Sequence, residues 1–362
     1  YEMQRSLVGS EMCIRDSSNI FSTLASSAVA PCASLVCSSF VMNARIGTMN
    51  DTNEPNTEIE NAEAVADALA EWWHASARDL PWRFGRTTTW GVLVSEVMSQ
   101  QTQMSRVVPY WNDWMERWPD AVALADAAKA DVITAWGRLG YPRRALRLQE
   151  CARVVASDYD NKLPRTYDEL LALPGIGDYT ASAVMSFAFG ERIAVVDTNI
   201  RRVLSRVFLG EESLGGAARP AERALAKQML PQDDASKCRR FDRPSVVWNQ
   251  SVMELGATVC TAKAPLCEAC PVSGHCVFLH NGRPGLGERR TRPRQRFQGT
   301  DRQVRGLVLN ALRNLPEGAT ALNRKSLERL WDDHIQLDRC IASLDEDGLI
   351  EILPNADVRL PV

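Results

Sequence analysis

Apolar residues recur at helical spacing along most of the chain. The first such stretch begins near Ala62, where Val65, Leu69 and the Trp72-Trp73 pair share a face, and ends before the Arg-Asp-Leu-Pro-Trp sequence at 78–82. Further stretches with this period cover residues 90–103, 107–118, 121–128, 130–139, 143–159, 166–173, 179–189, 198–207, 220–229 and 245–259. Because strand-like alternation is scarce before residue 300, the pattern predicts an all-α body of roughly ten helices joined by short loops.

The pattern changes after residue 280. Between 281 and 305, Gly and Pro recur among eight arginines, with only Glu288 and Asp301 as acids. This composition predicts a basic linker, which we assign to 286–301. Beyond it, three stretches with helical spacing precede two that alternate like short strands: 302–315, 324–331, 334–345, 349–353 and 358–361. Three helices followed by a hairpin predict a small winged-helix-like domain over 302–362.

The chain before residue 62 divides into two segments. Residues 1–48 are Ser-rich, lack a sustained period and begin with Tyr1, which predicts a non-native or disordered extension, with Met42 or Met49 as the native start. A signal peptide is the alternative, because 21–36 is small and mildly apolar. Residues 49–61 form an acidic leader. No apolar run approaches the roughly 18–20 residues of a membrane-spanning helix, and the predicted location is the bacterial cytoplasm, at the nucleoid.

The net charge of −3, from 42 Lys and Arg against 45 Asp and Glu, argues against a polyanionic partner when it is taken over the whole chain. The net charge of the separate segments does not argue against such a partner. Residues 49–71 hold seven acids and no base, and residues 311–362 carry −4, which leaves 72–310 with +8. A basic body between acidic ends is typical of a nucleic-acid binder. We therefore expect salt-sensitive binding of a polyanion by the body and little contribution from the C-terminal domain, with scattered solvated arginines as the alternative.

Four of the ten cysteines lie close together, as Cys260-x6-Cys267-x2-Cys270-x5-Cys276. Thiolates at such short spacings can converge on one metal centre. A chain of 40.2 kDa with a full core does not need disulfides, whereas four cysteines suit zinc as well as an iron–sulfur cluster. The 6-2-5 spacing favours a [4Fe–4S] cluster, with zinc and disulfides as the alternatives.

A short glycine-containing link joins the predicted helices 166–173 and 179–189. It reads Leu-Pro-Gly-Ile-Gly at 173–177, and Gly175 and Gly177 permit a close approach of the backbone to a ligand. Free N–H groups at the start of the second helix can then hold a phosphate. The sequence Val-Val-Asp-Thr-Asn follows at 195–199. This pairing is the helix-hairpin-helix plus aspartate arrangement.

A fourth motif, Ser-Glu-Val-Met-Ser-Gln-Gln-Thr-Gln at 95–103, precedes these three. In this order of motifs, over 62–285, the chain resembles the helix-hairpin-helix base-excision DNA glycosylases, and within them the adenine DNA glycosylase (MutY-type) branch. The resemblance implies an all-α helix-hairpin-helix DNA glycosylase fold with a six-helix barrel lobe (86–196) and an iron–sulfur lobe (62–85 and 197–285). It implies a monofunctional enzyme that hydrolyses the N-glycosidic bond of adenine opposite 8-oxoguanine or guanine in double-stranded DNA. We expect a monomer.

The resemblance also assigns catalytic roles. Glu96 would protonate the purine at N7, which requires a carboxyl pKa raised by burial. Asp197 would stabilise the oxocarbenium-like sugar, as in glycoside cleavage, and Asn199 would hold Asp197 or the attacking water. Tyr179 stands where the related endonuclease III branch has a nucleophilic lysine, so β-lyase activity should be weak or absent.

Other positions match the contacts that this family makes with DNA and the flipped base. Trp82 would pack against the base and Glu254 would contact the adenine edge. Gln101 and Thr102 would enter the vacated duplex, and Tyr141 would wedge beside the lesion. The residues implied for substrate and DNA binding are Arg78, Trp82, Arg83, Gln101, Thr102, Leu139, Tyr141, Gly175, Gly177, Asn249 and Glu254.

Two alternatives stay open. A thymine or uracil mismatch glycosylase of the same superfamily also lacks the lysine, although Glu96 and the motif around Glu254 favour adenine. A non-catalytic iron–sulfur protein that only surveys DNA would need neither Glu96 nor Asp197. Many family members also carry a Nudix-like C-terminal domain that checks for 8-oxoguanine, and residues 302–362 are too few to form one.

Overall fold

A computed structural model describes the protein over residues 57–362, except 214, 235–237, 289–295 and 317. The predictions for 1–48, for most of the acidic leader and for the middle of the basic linker therefore fall outside the described residues. The α-helices described before residue 300 are α1 Thr57–Ser76, α2 Thr89–Ser99, α3 Met104–Arg117, α4 Ala121–Ala125, α5 Lys129–Trp136, α6 Arg143–Asp158, α7 Tyr167–Ala172, α8 Asp178–Ala183, α9 Thr198–Leu204, α10 Pro220–Gln228, α11 Pro244–Thr258 and α12 Val277–His280.

These helices confirm the predicted all-α body. Within the described residues, none of them is long and apolar enough to cross a membrane. The helix α2 ends at Ser99, earlier than the stretch 90–103 predicts, because the chain turns at Gln101, whose φ is +55°. The helix α1 begins at Thr57, so residues 57–61 are helical rather than leader. Acidic residues are favoured at a helix N-terminus, so an acidic run does not mark a boundary.

One continuous hydrophobic core runs from Val65 in α1 to Val272 in the cysteine-containing loop. At its centre, the ring of Trp114 meets those of Trp118 and Trp136 edge-on, at centroid distances of 4.7 and 5.6 Å. Edge-to-face aromatic pairs stabilise a core beyond the area that they bury. Helices from both lobes implied by the family resemblance contribute to this core.

The end of α11 and the start of α9 lie close together. Gly256 on α11 permits this approach, because a Cβ at that position would lie 2.7 Å from the Cβ of Asn199. Two π-helical turns, Val184–Ala188 and Ser205–Leu209, extend α8 and α9. Turns of this kind are rare and often occur at functional sites.

The C-terminal unit is defined here as residues 301–362 without 317. Its elements are α13 Asp301–Arg313, α14 Arg324–Glu328, α15 His334–Glu346, β1 Glu351–Ile352 and β2 Val358–Arg359. The two strands are antiparallel, with Glu351 opposite Arg359. Three helices and a hairpin occur in the predicted order, and the winged-helix-like assignment stays a prediction. The core of this unit includes Ile133 of α5, so the unit packs on the body.

Candidate active site

Glu96 contacts Tyr179, which is 83 residues away in the sequence. Glu96 lies on α2 and is buried, and the Tyr179 hydroxyl at the start of α8 donates a hydrogen bond to its Oε2 at 2.8 Å. Burial raises the pKa of Glu96 to about 7, and the nearby charge of Asp197 adds to this effect. The hydrogen bond from Tyr179 and the charge of Arg83 act in the opposite direction. A carboxyl group with this pKa can donate a proton near neutral pH.

Asp197 is held at the N-cap of α9. Its Oδ1 accepts from the backbone N–H of Ile200 at 2.6 Å, and its Oδ2 accepts from the Asn199 amide at 2.9 Å. Desolvation raises the pKa of Asp197 above its usual range, and these hydrogen bonds and the charge of Arg202 offset only part of the rise. Asp197 therefore caps α9, and Asn199 is bonded to it, which is one of the two roles that the family resemblance implies for Asn199.

Arg202 connects Asn199 to the cysteine-containing loop. Its Nη2 donates to Asn199 Oδ1 at 2.8 Å and to the Gly256 carbonyl at 2.6 Å, and its Nε donates to the Cys260 carbonyl at 2.8 Å. The sequence interpretation missed this residue. Its signal is the spacing of Arg202 and Arg206, which are four residues apart in a predicted helix and therefore share one helix face.

Glu254 forms a buried ion-pair cluster with the 78–83 segment. Its Oε1 accepts from Arg78 Nε at 2.5 Å, and its Oε2 accepts from Arg78 Nη2 and Arg83 Nη2, each at 2.7 Å. Burial raises the pKa of Glu254, but the hydrogen bonds from both arginines outweigh burial and lower it to about 2. Glu254 is therefore an ionised acceptor that fixes the two arginines.

Aromatic side chains lie beside this cluster. Trp82 packs against Trp111 with ring centroids 5.5 Å apart, and the Arg83 guanidinium lies 4.7 Å from the ring centroid of Trp73. The charge of Arg83 also acts on Glu96. The Arg-Asp-Leu-Pro-Trp-Arg segment therefore borders the acid predicted to protonate the base.

Two loops predicted to touch DNA are bonded to each other. The Thr102 hydroxyl is buried and donates to the carbonyl of Leu139 at 3.1 Å, and the Leu139 side chain is only 3% exposed. Gln101 is exposed, and Tyr141 is 54% exposed, with φ values of +55° and +47°. Thr102 and Leu139 thus tie the two loops together, whereas Gln101 and Tyr141 are exposed. The DNA contacts of all four residues stay predictions.

Asn249 is an internal support in this structure, and its predicted role in substrate binding stays a prediction. Its amide nitrogen donates to Ser186 Oγ at 3.0 Å and to the Ile193 carbonyl at 2.8 Å, and its oxygen accepts from the Val195 N–H at 3.3 Å. These bonds use both N–H donors of the amide. Asn249 therefore braces the segment that leads to Asp197.

The link between α7 and α8 has the backbone expected of a phosphate-gripping hairpin. Gly175 has a φ of +77°, and a Cβ there would lie 3.0 Å from the Cβ of Arg147 on α6. Gly177 is the N-cap of α8, and nothing lies within 4 Å of the place where its Cβ would be. The N-terminus of α8 is therefore open to a ligand.

The four clustered cysteines line one cavity. Besides Cys260, Cys267, Cys270 and Cys276, its lining includes Val259, Leu266, Phe278 and the buried Arg206. Arg206 Nη1 donates to Cys260 Sγ at 3.4 Å, which favours a ligand set that carries negative charge. Among the described His, Cys, Asp and Glu side chains, no group of three is gathered for a single metal ion. Thiols around a cavity suit a multi-atom cluster better than one zinc ion.

Comparison with known proteins places this geometry in a family. Residues 94–229 match the model of the HhH-GPD superfamily base excision DNA repair proteins, and residues 260–276 match the iron–sulfur binding domain of endonuclease III. The adenine DNA glycosylase of Mycolicibacterium smegmatis is 47% identical over 285 residues, covering 78% of this chain and 91% of the relative. The chain belongs to the adenine DNA glycosylase family. The adenine DNA glycosylase of Mycobacterium tuberculosis is 41% identical over 309 residues, covering 85% of this chain and 97% of the relative.

Solved structures confirm the predicted fold class. A thermostable thymine-DNA glycosylase is 29% identical, with a TM-score of 0.54, and the match covers 61% of this chain and 98% of that one. A non-covalent endonuclease III–DNA complex is 20% identical, with a TM-score of 0.51 over 62% and 97% of the two chains. The enzyme is thus a DNA glycosylase of the helix-hairpin-helix class, its substrate is DNA and its cofactor is a [4Fe–4S] cluster.

The buried cluster around Glu254 leads to a stability prediction. In Glu254→Gln, an amide N–H replaces an oxygen that accepts from a guanidinium, so Arg83 keeps a buried charge without its partner. We expect the free energy of unfolding to fall by about 3 kcal/mol, measured by urea denaturation. The control is Asp79→Asn, which breaks the exposed pair with Arg86 and should cost at most about 0.5 kcal/mol. Equal losses in the two variants would contradict the buried-cluster interpretation.

Proposed function

We propose that this chain is a monofunctional glycosylase that hydrolyses the N-glycosidic bond of adenine mispaired with 8-oxoguanine or guanine, and that it acts as a monomer. The observation that carries the proposal is the pairing of two unlike carboxyl groups. Glu96 has a pKa of about 7, while Asp197 is held by a helix N-terminus and by Asn199. Two acids in different environments can divide the work between a proton donor and a charge stabiliser.

Each of these two carboxyl groups then has its own role in the hydrolysis. Protonated Glu96 gives its proton to N7 of adenine, so the base departs neutral as the bond to the sugar breaks. The electron pair of that bond leaves with the base, and positive charge develops on the sugar. The Asp197 carboxylate stabilises this charge. Water then adds to the sugar and loses a proton to the Glu96 carboxylate, which the first step left ionised. Asn199 keeps Asp197 in place.

The remaining assignments concern binding. Trp82 would pack against the flipped adenine, and Arg78 and Arg83, fixed by Glu254, would border its edge. Gln101 and Tyr141 would enter the duplex, because they are the exposed residues of their loops. Gly175, Gly177 and the N–H groups of α8 would hold a phosphate of the backbone.

The cluster ligands would be Cys260, Cys267, Cys270 and Cys276. When bound, the cluster supplies a rigid charged anchor for the 260–276 loop. Arg206 would face the Cys260 thiolate. Arg202 would fix Asn199 relative to the Cys260 backbone, because it is bonded to both.

Tyr179 provides a prediction about the reaction class. Its phenol donates a hydrogen bond to Glu96, and a phenol cannot form a Schiff base with the sugar. Borohydride added during turnover should therefore trap no covalent complex at a rate that matches base release. A trapped complex formed as fast as adenine is released would place the enzyme in the lyase branch.

The substrate is tested with the wild-type enzyme on duplexes that carry A opposite 8-oxoguanine, A opposite G, T opposite G or U opposite G. Alkali after incubation cleaves each abasic product, so strand cleavage reports base release. We expect cleavage of the two adenine duplexes. Cleavage confined to the T or U strands would favour the thymine or uracil alternative and would refute the proposed substrate.

A further inference from the structure

The C-terminal unit contacts both helices that flank the loop 139–141, in which Leu139 is buried and Tyr141 is exposed. On the α5 side, Ile133 is buried in the core of the unit, and its carbonyl accepts a hydrogen bond from Arg313 Nε at 3.1 Å. On the α6 side, Arg143 pairs with Asp347 at 3.2 Å. Arg138, directly before the loop, also donates to Asn310 at 3.4 Å. The loop is thus fixed relative to the unit from both ends.

Tyr141, at the tip of this loop, is approached by two guanidinium groups. The Cζ atom of Arg144 lies 5.6 Å from the ring centroid, and that of Arg302, from the first turn of α13, lies 5.9 Å from it. Arg144 is rigid, because it donates to the carbonyls of Val97, Gln100 and Gly140 at 2.8, 2.6 and 3.1 Å. Arg302 is the contact that the C-terminal unit itself provides.

We infer that Arg302 is a positioning residue for Tyr141, so that the C-terminal unit sets the orientation of the side chain that enters the duplex. A tyrosine that is 54% exposed with a left-handed backbone loses ring freedom when it inserts between bases. Arg302 is itself exposed, and its cation beside the ring favours one ring orientation before DNA arrives. This inference rests on the proposed wedge role of Tyr141, and it gives the acidic C-terminal unit a part in recognition that the charge distribution does not predict.

The size of the effect follows from the contact. An exposed cation–π contact corresponds to about a 2- to 5-fold change in an equilibrium constant. Removal of an aromatic ring that stacks on bases weakens binding about tenfold or more. Arg302→Ala should therefore weaken binding to the mismatched duplex about 2- to 5-fold, and Arg302→Lys should restore most of the affinity.

The experiment is a double-mutant cycle on the full-length holoenzyme, with Tyr141→Ala, Arg302→Ala and the double variant. A duplex with A opposite 8-oxoguanine and 2-aminopurine beside the adenine reports unstacking by fluorescence, and affinity is measured at several salt concentrations. Arg359→Ala is the matched control, because Arg359 lies in the same unit and pairs with Glu351 in the hairpin, away from Tyr141. It should leave affinity and fluorescence unchanged.

If Arg302 acts through Tyr141, Arg302→Ala reduces the fluorescence change and leaves the salt dependence of binding unaltered. The double variant then binds the duplex no more weakly than Tyr141→Ala does. Additive losses with a smaller salt dependence would make Arg302 a phosphate contact and would overturn the inference. An Arg302→Ala variant equal to the wild type would overturn it as well. A Tyr141→Ala variant that unstacks the duplex normally would instead refute the proposed wedge role, so the two failures are distinguishable.

Discussion

An Asp197→Asn variant is expected to lose base release by at least about 10²–10³-fold while it keeps its fold and its affinity for duplex DNA. Asparagine caps a helix about as well as aspartate, so the hydrogen bond from the Ile200 N–H, 2.6 Å long in the native protein, has an equivalent acceptor. The change therefore removes the charge and preserves the cap. A neutral amide stabilises a positive sugar far less than a carboxylate does. Single-turnover release from an adenine–8-oxoguanine duplex measures the loss, and fluorescence anisotropy measures binding.

The control for this variant is another N-cap of the body. Asp120 caps α4 and accepts from the Ala123 N–H at 2.9 Å, in a position with no part in the proposed chemistry. Asp120→Asn should release adenine at the wild-type rate. Turnover by Asp197→Asn at that same rate would remove Asp197 from the mechanism.

Replacing Glu96 with Gln is the second change with a large expected effect, a loss of about 10²–10⁴-fold in base release. The amide oxygen of the introduced glutamine can still accept the hydrogen bond from Tyr179, so packing around the site is preserved. The amide has no proton to give to adenine N7. The rate of the chemical step should fall, with little change in affinity for the duplex.

The pH dependence identifies the proton that is lost. Burial raises the pKa of Glu96 to about 7, and in the proposed mechanism the protonated form is the active one. The rate of base release by the wild type should therefore fall about tenfold per pH unit above about pH 7, and this decline is the alkaline limb of the pH profile. The residual rate of Glu96→Gln should lack this limb. Tyr179→Phe removes a hydrogen bond that lowers the pKa of Glu96, so its limb should lie at higher pH. A limb that persists unchanged in Glu96→Gln would assign the proton to another group.

Much of the fold is predictable because apolar residues keep a helical period. The stretch 143–159 corresponds to α6, which ends at Asp158, and 220–229 corresponds to α10, which ends at Gln228. Turns limit this accuracy. The end of α2 depends on the left-handed backbone at Gln101, which the apolar pattern does not contain.

The candidate site is only partly predictable. Sequence motifs indicate Glu96, Tyr179 and Asp197, but the contact between Tyr179 and Glu96 joins residues 83 positions apart and depends on how α2 packs against α8. The direction in which a loop residue faces is likewise a tertiary property. The motifs treat Leu139 and Tyr141 alike, although only Tyr141 is exposed.

Buried arginines are the residues that sequence reasoning missed. Charged side chains are usually assigned to the surface, but Arg202 and Arg206 are 4% and 1% exposed. Each is paired through several carbonyl oxygens or a carboxylate, which is the condition for burying a guanidinium. The carbonyl partners Gly256, Cys260, Thr261 and Ala262 come from α11 and the cysteine-containing loop, and only the folded chain reveals them.

The central claim is that Glu96 and Asp197 together release a mispaired adenine. The most direct measurement is chromatographic identification of the free base that the wild type, Glu96→Gln and Asp197→Asn release from an adenine–8-oxoguanine duplex in a single turnover. We expect free adenine and an uncleaved abasic strand from the wild type. In both variants the release of adenine should fall by at least about 10²-fold. No free adenine from the wild type, or undiminished release by either variant, would contradict the central claim.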